Sequence, residues 1–146
     1  MATRHHARAA VIGLLYAYDL GNKEIEKFSD EILDERKIRN KQREFSYRLF
    51  RGTIKNLKEI DELIKSHLDS WKFDELGKIE KAILRLGTYE MLKEDIDEAI
   101  VINEAIELAK ELADDDAPKF INGVLDAIKK DLKGDKKEKN ESKEDE

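Results

Sequence analysis

The chain is 146 residues long, 42% charged and 40% hydrophobic, with one proline and seven glycines, which describes a soluble, largely helical protein of one domain with solvated outer faces. The absence of cysteine excludes a disulfide framework and a thiolate zinc site, and it favours a reducing compartment. A formal net charge of −6 argues against general nucleic-acid binding, so such a partner would have to be met by a local basic patch.

The first element is "RHHARAAVIGLLYAYD", residues 4–19, a basic start followed by a run that is apolar from Ala9 to Tyr18. An export signal begins in the same way, but it ends in small residues at its cleavage site, whereas Tyr16, Tyr18 and Asp19 close this run. Val11, Leu14, Leu15 and Tyr18 fall at i, i+3, i+4 and i+7, which predicts an amphipathic helix of a cytoplasmic protein. Thr3 is its expected N-cap, and Gly21 with Asn22 stops it after Leu20. No apolar run approaches the roughly 18 residues needed to span a bilayer.

Five further helices follow. A short one is expected after Ser29, with Asp30 and Glu31 in its first turn. The third runs from about Lys41 to Leu68 on a stripe of Phe50, Ile54, Leu57, Ile60, Ile64 and Leu68. Gly52 inside it costs about 1 kcal/mol relative to alanine, which points to close packing there. The fourth starts near Asp74, and its apolar positions spread beyond one face, as in a central, mostly buried helix. Asp97 caps the fifth, and Asp116 is placed to cap the sixth. From Gly134 the tail "GDKKEKNESKEDE" is wholly polar and is read as disordered, leaving residues 1–133 as one all-α domain.

Chemistry is sparse. His5 and His6 are adjacent, so on a helix their side chains diverge by about 100° and cannot chelate one ion. Asp114 to Asp116 precede a helix, where carboxylates act as cap and dipole partners more often than as magnesium ligands. No triad and no glycine-rich phosphate loop is present, so neither catalysis nor a metal or cofactor is expected. His5, Arg8, Ile12 and Tyr16 step by three, four and four along one flank of the first helix, with Arg4 one turn below Arg8. That ridge offers phosphate contacts and a stacking surface. Ordinary surface arginines give the same pattern, and pattern alone favours that plainer reading. Trp71 fits a core or bundle junction. Lys119 and Phe120 sit in the first turn of the last helix, where exposed amides favour anions, although Phe120 suits the core equally well by spacing.

Three segments, "ARAAVIGLLYAYD", "IEKAILRLGTYEML" and "VINEAIELAKELADDDAPKFINGVLDAI", resemble the NusB family of bacterial transcription antitermination factors. The resemblance covers most of residues 3 to 130 and is weakest from about 22 to 70. It implies two three-helix bundles and a partner, NusE, the small-subunit ribosomal protein that doubles as a transcription factor. The pair would bind boxA, a single-stranded RNA element of ribosomal RNA leaders, and join RNA polymerase, with nothing chemically turned over. Position by position, the family's arginine-rich N-terminus falls on Arg4, His5, His6 and Arg8, and its RNA-adjoining loop falls on Asp116, Lys119 and Phe120. Tyr16 and Glu80 fall where the family meets NusE. Two histidines stand where relatives often carry arginines, and a histidine of ordinary pKa is mostly neutral at pH 7, so the patch is expected to carry less charge. With the resemblance, the basic ridge becomes the favoured reading. The alternatives are an accessory domain for ribosomal RNA modification and a homodimeric protein-interaction module.

Overall fold

The computed structural model describes residues 3–144, apart from the side chains at 70 and 135–144. Every regular element among the described residues is a helix: α1 Arg4–Asp19, α2 Ser29–Glu35, α3 Asn40–Lys55, α4 Leu57–Lys65, α5 Ser70–Glu75, α6 Lys78–Lys93, α7 Glu98–Leu112 and α8 Ala117–Glu144, with a short 3₁₀ turn over Ile25–Phe28.

α6 is the axis of the molecule. Every residue from Lys81 to Met91 is buried, because α1, α3, α4, α7 and α8 pack around it. The breadth of the apolar pattern in "AILRLGTYEML" is the sequence counterpart of this all-round burial. On α1, Ala7, Val11, Leu14 and Leu15 face the core. Its start is capped reciprocally: the Thr3 hydroxyl accepts from the His6 amide at 3.2 Å, while the His6 ring accepts from the Thr3 amide at 3.3 Å. Gly21 closes the helix end at φ +113, a conformation that side-chain-bearing residues avoid.

The predicted 41–68 helix is two helices. The chain turns at Asn56, whose side-chain amide donates to the Gly52 carbonyl at 2.8 Å while the Thr53 hydroxyl donates to the Leu49 carbonyl. Side chains that bond back onto the preceding turn bend helices. Close packing at Gly52 is confirmed, since a Cβ there would lie 2.1 Å from the Tyr89 ring of α6. The predicted fourth helix is likewise split into α5 and α6 by extended backbone at Leu76 and by Gly77. Asp97 caps α7 as expected, its carboxylate accepting from the Ala99 amide at 2.8 Å. α8 begins directly after Asp116, and its backbone runs on past Gly134 to Glu144 where the sequence predicted a disordered tail. Lysine and glutamate dominate that stretch and are good helix formers; its side chains lie outside the described residues.

Candidate nucleic-acid and partner interface

The predicted basic ridge is largely dismantled by pairing. Arg8 is not on the surface: it is 3% exposed, and its guanidinium clasps Glu90 of α6, itself 2% exposed, through Nε at 3.1 Å to both carboxylate oxygens and Nη2 at 2.8 Å. Glu104 of α7 stands 3.7 Å from Nη1. Burial pushes the Glu90 carboxyl above its usual range, against the opposing pull of Arg8. Arg8 lies one turn before the buried Ile12, so it belongs to an interior face of α1 and needs a carboxylate there. In the free chain it cannot reach a phosphate.

His5 is also occupied. Its Nδ1 is 2.6 Å from Glu104 and its Nε2 is 2.7 Å from Glu111, so a carboxylate faces each ring nitrogen. A neutral imidazole can donate only one of these bonds, and the geometry therefore calls for the imidazolium. Burial works against that charge, but the hydrogen bonds and charges of the two glutamates outweigh it and hold the pKa above the usual value. His5 is therefore not the histidine of ordinary pKa that the sequence suggested, and its two glutamates neutralise the charge it carries. Of the four N-terminal residues carried over from the family, Arg4 and His6 stay exposed. The Arg4 guanidinium lies 4.5 Å from the centre of the Phe45 ring of α3, and His6 serves the helix cap.

The other predicted residues gather elsewhere. Tyr16 and Glu80 line one shallow groove with Lys78, Ile79, Leu112 and Asp114, a cavity of about 290 Å³. Glu80 and Asp114 also border a second groove of about 360 Å³, walled by Trp71, Lys72, Leu76, Asp116, Ala117 and Phe120. Tyr16, Glu80, Asp116 and Phe120 therefore form one continuous surface, and Lys119 is exposed on the first turn of α8 beside it. Phe120 is half-buried under the Lys72 ammonium, 4.9 Å from its ring centre, and so serves both the core and the groove. Gly77 makes room at the start of α6: a Cβ there would lie 1.9 Å from the Glu80 carboxylate. Arg4 is distant from this surface, since twelve helical residues separate it from Tyr16, about 18 Å of rise.

An ion network fixes the groove end of α1. Asp19 pairs with Lys78 at 3.0 Å and Arg85 at 3.2 Å, and Arg85 holds Asp61 at 2.9 Å. Burial alone would raise the Asp19 pKa, but Lys78 and Arg85 reverse it and hold the carboxyl below its usual range. α1, α4 and α6 are thereby tied together behind Tyr16.

Two features escaped the sequence reading. Trp71, expected at a core or junction, is 64% exposed and lines the second groove. Cations also cluster on the loop between α2 and α3 and the first turn of α3, which a count of charge in short windows would have found.

The NusB family model matches residues 5–130. The chain belongs to the NusB family. The transcription antitermination protein NusB of Nitratiruptor sp. is 67% identical over 133 residues, 91% of this chain and 96% of that protein. A solved structure of T. maritima NusB superposes with a TM-score of 0.81 at 38% identity, covering 88% of this chain and 92% of that one. A crystal structure of antitermination factors NusB and NusE in complex with dsRNA gives a TM-score of 0.79 at 34% identity, over 87% and 96% of the two chains. Among the described residues, no helix is long and apolar enough to cross a membrane.

Proposed function

We propose that this chain is a transcription antitermination factor that pairs with a NusE-type ribosomal protein, grips boxA single-stranded RNA in ribosomal RNA leader transcripts and joins RNA polymerase in the cytoplasm. It acts by binding and is not an enzyme. The observation that carries this reading is the continuity of the two grooves: Glu80 and Asp114 belong to both, so a protein seated at Tyr16 would border RNA held at Asp116, Lys119 and Phe120. Glu80 and Asp114 present negative charge to a basic partner, and Tyr16, 37% exposed beside the exposed Leu112, supplies an apolar anchor. The partner's cations would then provide the field that an acidic body of net charge −6 lacks. Arg4 and Lys119 offer phosphate contacts and Phe120 a stacking face.

The helices divide in this reading into two three-helix bundles. Its supports are the mutual packing of α6, α7 and α8 and the packing of α1 on α3. A homodimer through the same face is the competing use of Tyr16 and Leu112, and light scattering with and without the ribosomal protein separates the two. The direct test is capture of that protein by the chain carrying Tyr16→Ala and Glu80→Lys together. Capture is expected to weaken at least tenfold with the helical circular dichroism unchanged, and undiminished capture overturns the assignment of this face.

A further inference from the structure

Residues 36–43 read RKIRNKQR, five cations with no carboxylate among them, the densest positive stretch in a chain of net charge −6. Residues 36–39 form the loop from α2 into α3, and residues 40–43 are the first turn of α3. Arg43 is used internally: it pairs with Asp34 and donates to the carbonyls of Ile38 and Asp30 at 3.2 Å each. Ile38 is fully buried with Ala10 of α1 and Leu33 of α2, which pins the loop against α1. The remaining four, Arg36, Lys37, Arg39 and Lys41, are exposed. Among the described residues none of the four forms an ion pair.

The loop is continuous with the one arginine of α1 that remains available. Lys41 stands one turn before Phe45 on α3, and the Phe45 ring carries the Arg4 guanidinium. Arg39 is the residue before α3, in extended backbone. At the other end Arg36 reaches over α1, its Nη2 only 3.6 Å from where a Cβ on Gly13 would lie. The exposed cations and Arg4 therefore form one strip along α1 and the head of α3.

We propose that this loop is a second RNA contact, in which Arg36, Lys37, Arg39 and Lys41 bind phosphates of the transcript segment flanking the one gripped at Arg4. This rests on the RNA-binding reading above and extends it to residues outside the positions carried over from the family. The chemistry favours a nucleic-acid backbone over the other anionic surfaces. A protein interface needs an aromatic or aliphatic anchor and a membrane-surface segment inserts apolar side chains, but the loop's one apolar residue, Ile38, is buried. Four spaced cations without an anchor suit phosphates, read without regard to sequence.

The test uses the full chain with its ribosomal-protein partner and two RNAs, the short boxA element and the same element extended by roughly ten nucleotides on each side. The variant carries Lys37→Gln, Arg39→Gln and Lys41→Gln, leaving Arg43 and Ile38 in place. Each lost contact to single-stranded RNA removes about 0.7 from the log–log salt slope, so the variant's slope on the long RNA is expected to be shallower by about 2. Its disadvantage relative to the wild type then shrinks about 20-fold between ~50 and ~200 mM salt, while the two bind the short RNA alike. Identical slopes on the long RNA overturn the proposal and leave the proposed function standing. So does a variant defect that appears only with anionic phospholipid vesicles. Failure of the wild type to bind either RNA overturns the proposed function itself, and the proposal with it.

Discussion

Two cationic stretches of this chain meet opposite fates. Residues 4–8 hold two arginines and two histidines, of which Arg8 is buried on Glu90 and His5 is held between Glu104 and Glu111. Residues 36–43 hold five cations, of which Arg43 alone is tied to an acid and four face outward. The first stretch lies on a helix that packs against α3 and α6 and reaches the glutamates of α7, so its inward cations find carboxylates or unfold the site. The second spans a loop and the first turn of α3, and its one apolar side chain is its anchor, so its exposed cations have no interior to enter. Sequence charge becomes surface charge only where the fold supplies no partner.

The largest effect separating the two stretches is on stability. Arg8→Ala leaves Glu90 buried and unpaired, at a cost of about 3–5 kcal/mol, and urea denaturation is expected to show it. Lys41→Gln, at an exposed position in the first turn of α3, is expected to change stability by less than about 0.5 kcal/mol, and an equal loss would erase the distinction. Next in size is RNA affinity: Arg4→Ala, which removes an exposed cation, is expected to weaken binding by the ternary assembly about tenfold with the fold intact. Smallest is a pH effect. The folded-state pKa of His5 is raised, so its contribution is complete below the unfolded value near 6.5 and is lost as pH rises through the folded value. Thermal midpoints of the wild type should fall over that window relative to His5→Gln, and parallel curves would show that the glutamate clamp adds nothing.

Much of the fold was legible. Thr3, Asp97 and the three-and-four spacing of α1 located helices because capping and amphipathicity are local. The break at Asn56 was not, since Ile54, Leu57 and Ile60 keep helical spacing straight through it and the bend comes from side-chain bonds onto the preceding turn. The site was read less completely. Tyr16 and Glu80 share a groove, but the position of Arg8 beside Ile12 looked like a flank, and its partner is a lone glutamate within the apolar run of α6, distant in sequence. A single arginine and a single glutamate, each inside an otherwise buried stretch, are the signal for such a pair.

The most direct measurement replaces the buried pair by apolar residues of similar size, Arg8→Met with Glu90→Leu, a change that leaves no unpaired charge and is often tolerated. RNA is then titrated onto this variant in complex with the ribosomal protein at fixed salt. Affinity within about twofold of the wild type is expected, because Arg8 serves the interior and the phosphates are, as proposed, met by Arg4 and the exposed cations of residues 36–41. A loss as large as that of Arg4→Ala, in a variant with native circular dichroism, would contradict it.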